Sequence, residues 1–441
     1  MRDLFAGLRE DLLRCNRCGT CASVCPTYAA LRRETTSARG RVSLIDAFLA
    51  GEIEATEEFR SLLYYCLSCH ACATACPNGV RADKLVLAAR ATLARADGRS
   101  PVRRAIFEGL LPHPGRLDAA LWPARLYEAL GLRSLVDRSG LADLLPGALG
   151  TYGRMLPSMP LRPALDTIPA VSPATGPRRG RVGFFLGCAQ NLAFPDAARA
   201  TVALLNLAGY DVLTPRATVC CGMPAFAYGE LDVAAALARR NLAAFAEADV
   251  DLLVTDCASC GSFLKEYGQL LADDADCADA AAHLAERTRD ISEVLAAASP
   301  EAERSDLGEL RVTYHDPCHL GHAQGVKRQP RDLLRGIPGL ELVEMNTPGA
   351  CCGSAGSYAL THPDVSLAIL ERRIAEAKET QAAILATGCP ACRLQLEFGL
   401  RRAGLAVEVR HTVELVAASY GLARSVTKRS MSSTRCGEAA S

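Results

Sequence analysis

The sequence predicts a multidomain protein in which an N-terminal all-α unit precedes two duplicated α/β units. Three observations predict this fold class. A four-cysteine run occurs twice before residue 78, a proline-rich stretch follows, and then a strand-helix pattern carrying five cysteines occurs twice. With 441 residues, 49% of them hydrophobic, the chain is long enough to bury several cores.

The duplicated four-cysteine run predicts two [4Fe-4S] clusters. Three thiolates two residues apart can cap three irons of one cubane, while the fourth cysteine, which is followed by proline, crosses to the other cubane. A zinc knuckle is the alternative for one copy, but zinc sites usually combine two C-x2-C pairs. The spacing assigns Cys15, Cys18, Cys21 and Cys76 to cubane 1, and Cys66, Cys69, Cys72 and Cys25 to cubane 2.

Helical periodicity surrounds and separates the two runs. The leucine spacing over residues 2–14 predicts an amphipathic helix that precedes the first run. Between the runs, 41–49 and 57–65 carry helical apolar spacing, and 85–96 has the pattern of a closing helix. We therefore predict an α-helical, ferredoxin-like domain over residues 1–97. His70, inside the second run, is expected to lie beside its cluster without binding it.

Residues 98–178 carry little chemistry and are predicted to connect two parts of the chain. A helical pattern over 123–130 is followed by closely spaced prolines up to Pro177. Proline can neither continue a helix nor pair in the centre of a sheet, so this stretch indicates a domain boundary. At the other end, residues 425–441 lack apolar periodicity and are predicted to be a disordered tail.

Residues 179–305 and 306–424 form an internal duplication of α/β type. In each half an apolar strand ends at a cysteine, a second strand precedes two adjacent cysteines, and a third ends at a C-x2-C pair. The intervening lengths are 31 and 35 residues in the first half and 32 and 36 in the second. Strands that alternate with helices at this rhythm predict parallel sheets, whose carboxyl ends collect ligands. The matching strand segments are 181–188 with 311–318, 210–213 with 340–343, and 251–257 with 382–389.

Five cysteines in each half are one more than a cubane or a tetrahedral zinc ion requires. The excess suggests an unusual cluster in which one thiolate bridges metals, with a four-thiolate zinc site or free buried thiols as alternatives. Three histidines near the second set, His315, His319 and His322, are less favoured as ligands because the cysteines already suffice. The candidate metal ligands are Cys188, Cys220, Cys221, Cys257 and Cys260 in the first half, and Cys318, Cys351, Cys352, Cys389 and Cys392 in the second.

Besides the two four-cysteine runs, the sequence contains the motifs Arg39-Gly40-Arg41, Gly187 to Gln190, Cys220-Cys221-Gly222, Gly261 to Gly268, and Cys351 to Pro363. In these motifs, and over nearly its whole length, it resembles the glycolate oxidase iron-sulfur subunit family, with relatives among D-lactate dehydrogenases and heterodisulfide reductases. This resemblance implies two CCG-type cysteine-rich domains, each holding a non-cubane [4Fe-4S] cluster on its five cysteines. It also implies a partner subunit that contains FAD.

The composition of the chain restricts the kinds of partner and the cellular location that we expect for this protein. Equal numbers of basic and acidic residues, 49 each, leave no net charge to attract a nucleic acid. Twenty cysteines in metal-ligand spacing indicate a reducing compartment, so we expect a cytoplasmic protein. No long apolar run predicts a membrane span, which leaves at most peripheral membrane association.

The sequence also lacks the motifs of a nucleotide or flavin site, so no flavin is expected on this chain. A chain with one-electron centres and no hydride acceptor cannot oxidise a 2-hydroxy acid alone. We therefore predict an electron-transfer subunit that receives electrons from FAD on a partner dehydrogenase acting on glycolate or D-lactate, and passes them to a quinone or another acceptor. The alternative is a catalytic subunit of heterodisulfide-reductase type, which acts on disulfides at the non-cubane clusters.

Overall fold

The computed structural model describes residues 5, 7–132, 159–298, 300 and 302–423. Its N-terminal unit is helical, as the apolar spacing predicts. Ser37 begins one of the long helices by accepting a hydrogen bond from the Gly40 amide at 2.9 Å, and Thr56 begins another by accepting from the Phe59 amide at 3.2 Å. The helices are Arg9–Arg14, Thr20–Ser23, Pro26–Leu31, Ala38–Leu49, Glu57–Tyr64, Ala71–Ala75 and Ala82–Asp97, with a 3₁₀ turn at Glu34–Thr36.

The connecting region contains short helices and then irregular backbone. The helix predicted over 123–130 is present as Trp122–Ala129. It follows Pro101–Arg104, a π-helical turn at Ala105–Leu110, and Pro114–Ala120. Residues 133–158 and the predicted disordered tail at 425–441 lie outside the described residues.

The first duplicated unit contains five strands: β1 (Val171–Ser172), β2 (Gly180–Phe184), β3 (Tyr210–Leu213), β4 (Leu252–Thr255) and β5 (Thr288–Asp290). They form one sheet in the order β1-β3-β2-β4-β5. All its pairings are parallel except that of β1, a two-residue strand from the proline-rich stretch that pairs antiparallel at the edge. An edge position suits such a segment because proline cannot donate to a central ladder.

The second unit contains four strands: β6 (Leu310–His315), β7 (Leu340–Val343), β8 (Ile384–Thr387) and β9 (Glu408–His411). They repeat the arrangement of the first unit as a parallel sheet in the order β7-β6-β8-β9. The parallel α/β architecture predicted for both units is confirmed. The fourth parallel strand of each unit, β5 or β9, was not predicted from the sequence because it is short and polar.

The two units share hydrophobic cores instead of burying separate ones. Phe185 and Leu253 of the first unit belong to the same buried cluster as Leu385 and Val409 of the second. No helix among the described residues combines the length and apolar character needed to cross a membrane. The helices are Cys188–Ala193, Pro195–Leu207, Met223–Ala227, Leu231–Ala246, Ala258–Leu264, Tyr267–Leu270, Ala278–Arg287 and Ile291–Ala298 in the first unit, and Cys318–Gly321, Arg328–Arg335, Tyr358–Thr361, Pro363–Glu379, Pro390–Arg402 and Thr412–Ser419 in the second, with a 3₁₀ turn at Ala164–Asp166 before β1.

Candidate iron-sulfur sites

The eight cysteines of the helical unit line two small cavities, and each run contributes its last cysteine to the cavity of the other run. Cys76 lines the first cavity and Cys25 lines the second. Cys72 reaches both. We define the first cavity by Cys15, Cys18, Cys21 and Cys76, and the second by Cys25, Cys66, Cys69 and Cys72.

The Arg39-Gly40-Arg41 segment separates the two cavities. Arg39 lines the first cavity and Arg41 the second, because they point to different sides of the same helix. Gly40 lies so close to the preceding turn that a Cβ atom there would be 2.0 Å from the Glu34 carbonyl oxygen. Glycine therefore lets this helix begin where it can present one arginine to each cavity.

Two buried guanidinium groups lie close to Cys66 of the second cavity: Arg41 lines the cavity, and Arg90 bonds to the backbone of Cys66 from outside it. Arg41, 1% exposed, donates to the Leu62 carbonyl at 2.9 Å and to Thr27 Oγ1 at 3.1 Å. Thr27 Oγ1 in turn lies 3.2 Å from Cys25 Sγ.

Arg90, 3% exposed, donates to the carbonyls of Cys66 at 2.6 Å, Leu63 at 2.7 Å and Ala227 at 2.7 Å. Burial lowers the pKa of Arg90. Within the described residues, neither Arg90 nor Arg41 has a carboxylate as a hydrogen-bond partner, so both bring positive charge to the second cavity.

One carboxylate opposes these cations. Asp83 lines the second cavity and pairs with His70, whose Nδ1 lies 2.9 Å from Asp83 Oδ2. Burial by itself would raise the pKa of Asp83, but the hydrogen bond from His70 and the nearby charges outweigh it, and the net pKa is lowered. His70 thus lies beside the cysteines, with its Nδ1 directed at Asp83.

The five cysteines of the first repeat form one series of neighbouring thiols. Cys188 interacts with Cys220, Cys220 with Cys221, and Cys260 with both Cys221 and Cys257. The interactions with Cys220 and Cys260 lower the pKa of Cys221 to about 5. All five side chains therefore converge on one place.

The second repeat reproduces this series residue for residue. Cys318 interacts with Cys351, Cys351 with Cys352, and Cys392 with both Cys352 and Cys389. The interactions with Cys351 and Cys392 hold the pKa of Cys352 well below its usual range, and those with Cys257 and Cys392 do the same for Cys389. In both repeats the second cysteine of the adjacent pair therefore has a lowered pKa.

The three groups of thiols adjoin one another. Cys69 of the second cavity and Cys351 of the second repeat belong to one buried cluster, and Cys257 of the first repeat and Cys389 of the second belong to another. The Ala258 amide also donates to the Gly388 carbonyl at 3.1 Å, which closes the two repeats around this contact. The groups of cysteines therefore follow one another from the helical unit into the second repeat, and from there into the first.

The three histidines near Cys318 differ in their surroundings. His319 bridges two units, since Nδ1 lies 3.0 Å from Ser259 Oγ and Nε2 lies 3.1 Å from the Ser68 carbonyl. His322 Nε2 lies 3.0 Å from the Gly349 carbonyl.

His315 is fully buried, and both of its ring nitrogens lack a hydrogen-bond partner among the described residues. Burial, with a contribution from Arg373, lowers the pKa of His315 to about 3, so the ring is neutral.

Sequence reasoning missed several residues that hold the sites in place. Tyr267 has no distinguishing pattern in the sequence beyond a helix face, but it is fully buried and its hydroxyl donates to the Cys221 carbonyl at 2.6 Å. Asn241 supports the same turn, donating to the Cys220 carbonyl at 3.1 Å. Arg90 was missed as well. Its partners come from two units, so no local pattern could have revealed it.

The fourth strands did carry an unused signal. Asp290-x-x-Glu293 and His411-x-x-Glu414 occupy the same place in the two repeats, and in both the glutamate accepts from the backbone amide three residues before it. This is the spacing of a helix-capping box before an apolar run.

The donor chemistry fits iron-sulfur clusters. Thiols are the ligands that Fe-S clusters use, and at least four of them line each cavity of the helical unit. In each repeat, the glycine after the paired cysteines has a positive φ, +100° at Gly222 and +86° at Gly353, so the backbone can turn closely around a bound group.

Three family models match successive parts of the chain. A "4Fe-4S dicluster domain" matches residues 11–80, and a "Glycolate oxidase iron-sulfur subunit, linker region" matches 98–156. A "Cysteine-rich domain" matches twice, at 182–265 and 312–397. The order of these matches is the order of the units described above.

Curated relatives match over almost the full length. A probable glycolate oxidase iron-sulfur subunit of Bacillus subtilis is 37% identical over 421 residues, covering 93% of this chain and 94% of the relative. The glycolate oxidase iron-sulfur subunit of Escherichia coli is 30% identical, covering 94% and 96%. One subunit of the dihydromethanophenazine:CoB-CoM heterodisulfide reductase of Methanosarcina acetivorans is 27% identical, covering 96% and 97%. The chain belongs to the glycolate oxidase iron-sulfur subunit family.

Proposed function

We propose that this chain is the electron-transfer subunit of a flavin-dependent 2-hydroxy-acid dehydrogenase, acting on glycolate or D-lactate. Electrons come from FAD on a partner subunit and leave to a quinone or another acceptor. The observation that carries the proposal is that successive groups of cysteines adjoin one another, since Cys69 and Cys351 share one buried cluster and Cys257 and Cys389 share another. Such an arrangement suits a chain that conducts electrons between sites, since neighbouring centres then lie close together.

The proposal assigns ligands to four groups. Iron-sulfur clusters supply one-electron transfer when bound, and the protein sets their potential through charge, hydrogen bonds and burial. In the helical unit the cysteines divide between two cubanes as the crossed cavities suggest: Cys15, Cys18, Cys21 and Cys76 for one, and Cys25, Cys66, Cys69 and Cys72 for the other. In the repeats the ligands are Cys188, Cys220, Cys221, Cys257 and Cys260, and Cys318, Cys351, Cys352, Cys389 and Cys392, with zinc as the alternative metal.

The contacts also order the sites. The second cavity adjoins the second repeat, because Cys69 and Cys351 belong to the same buried cluster as Leu67 and Tyr358. At this junction His319 of the second repeat contacts Ser259 of the first repeat and the Ser68 carbonyl of the helical unit. The order is therefore the first cavity, the second cavity, the second repeat and the first repeat.

Co-purification and reduction of the complete complex test the proposal. The chain purified anaerobically with its partner should carry FAD on the partner and none on itself, and glycolate or D-lactate should reduce a quinone analogue. Cys69→Ser should abolish this transfer, while the matched control Cys277→Ser should retain it, since Cys277 lies outside all four groups of thiols. Full transfer by the Cys69→Ser complex, or substrate oxidation by the chain without a flavoprotein, would contradict the proposal.

A heterodisulfide-reductase-type activity is the second candidate. The Methanosarcina relative spans the whole chain, and both five-cysteine repeats are complete here. Reduction of a disulfide by the isolated chain with a reduced dye would favour this activity. Strict dependence on an FAD protein and a 2-hydroxy acid would exclude it.

A further inference from the structure

The two repeats match in all their cysteines but differ in buried side chains close to them. Aligning Cys188 with Cys318 places Phe185 of the first repeat at the position of His315 in the second. Both side chains are 0% exposed, and both lie where the first strand of the repeat ends. One repeat therefore presents a hydrocarbon ring at this position, and the other an imidazole.

His315 lies beside two of the candidate ligand cysteines. A ring nitrogen of His315 and the Sγ atoms of Cys352 and Cys392 all lie within 4.8 Å of one another. Neither ring nitrogen has a hydrogen-bond partner among the described residues. Leaving a buried polar group without a partner is costly, so native proteins normally give such a group something to bind.

Neighbouring histidines do not share this state. His319 has contacts from both ring nitrogens, to Ser259 Oγ and to the Ser68 carbonyl. His411, which is also buried, lies 2.8 Å through Nε2 from the Asp256 carbonyl and accepts the Val413 amide through Nδ1. Of these three rings, His315 alone has both nitrogens available for a metal.

We propose that His315 is a metal ligand of the second repeat, adding an imidazole nitrogen to the donor set that contains Cys352 and Cys392. The first repeat has only thiolates to offer, since Phe185 replaces the imidazole. The two repeats then differ in their donor atoms, and the ligands and their hydrogen bonds and charges set the potential of an iron-sulfur centre. This inference rests on the proposed function only in that the repeats bind iron-sulfur groups.

Pulsed EPR of the anaerobically purified full chain, labelled with ¹⁵N-histidine, tests the inference directly. The paramagnetic state of the second-repeat site should show a nitrogen coupling of the strength of a coordinated imidazole, and His315→Phe should abolish it. The matched control His319→Gln should retain the coupling. Absence of the coupling in the wild-type chain, or its persistence in His315→Phe, would overturn the inference.

A redox titration supplies the second readout. His315→Phe places in the second repeat the residue that the same position carries in the first, and the variant's iron content shows whether its site still forms. With iron retained, the midpoint potential of the second-repeat site should change while that of the first-repeat site stays the same. If His315→Phe loses iron, His315→Gln is titrated instead, with a change again expected only at the second-repeat site. An unchanged potential in an iron-loaded variant would overturn the inference and leave the electron-transfer proposal intact, because that proposal depends on the flavoprotein assay.

Discussion

The first and second cavities of the helical unit carry the same four-cysteine motif in very different surroundings. Arg17 and Arg39 line the first cavity, and each is paired with a carboxylate: Arg17 with Asp46 at 3.8 Å, and Arg39 with Glu34 at 2.8 Å. Cys18 is exposed to solvent. The cations at the first cavity are therefore compensated, and water screens them further.

The second cavity has the opposite character. Arg41 and Arg90 are buried and, among the described residues, donate only to carbonyl and hydroxyl oxygens. The Asp83 carboxylate is paired with the His70 ring. Identical ligands can therefore have different reduction potentials, because charge and burial around the sulfur atoms set the potential. We expect the second cavity to hold the cluster that is reduced first.

The largest effect should come from replacing the two crossed cysteines. Cys25→Ser should remove the second cluster, and Cys76→Ser the first, because each thiol lines the cavity of the other run. Each variant should lose about four irons of its helical unit, as one cubane contains. Iron and sulfide analysis with EPR would check this. A Cys25→Ser variant that keeps the second cluster would show that the runs do not cross.

Removing a buried cation should have the next largest effect. Arg41→Gln should lower the midpoint potential of the second cluster, because it removes a positive charge that no carboxylate compensates. One buried unit charge at effective dielectric 20 is worth on the order of 2 kcal/mol, or roughly 90 mV for one electron. EPR-monitored redox titration measures the shift. Arg39→Gln is the matched control, and it should move the first cluster far less because Glu34 already neutralises Arg39.

Asp83→Asn should raise the midpoint potential of the second cluster, and by less than Arg41→Gln lowers it. It removes a negative charge from the second cavity, but His70 already takes up part of that charge through the 2.9 Å contact. The same titration would check it. A fall in potential in Asp83→Asn would mean that charge is not what distinguishes the two cavities.

The smallest effect should be at the junction of the helical unit with the first repeat. Lys84 Nζ lies 2.5 Å from Glu266 Oε2, and the two side chains are 16% and 28% exposed. Such a partly buried pair contributes on the order of 1 kcal/mol, so the pair should stabilise the docking only slightly. A double-mutant cycle of Lys84→Met and Glu266→Gln in urea would measure the coupling. A coupling several times larger would make this pair, and not Arg90, the main link between the units.

Local sequence patterns were sufficient for most of the secondary structure. The strands Tyr210–Leu213 and Leu340–Val343 have the predicted bounds, because an apolar pattern between a helix and a turn is a local property. The fourth strands, β5 and β9, were missed because Thr288–Asp290 and Glu408–His411 alternate too few apolar residues to be recognised. Their position is decided by pairing with β4 and β8.

The sequence by itself determined the cysteine groups and the duplication, since both depend on spacing along the chain. Only the tertiary structure decided which groups meet, because Cys69 and Cys351, like Cys257 and Cys389, are brought together by packing between units far apart in sequence. The same holds for Arg90, whose carbonyl partners come from both sides of a domain junction. For His315 the exchange with Phe185 is visible in the aligned repeats. Its unsatisfied nitrogens beside Cys352 and Cys392 are visible only in the folded chain, because burial and the absence of a partner are properties of the surrounding core.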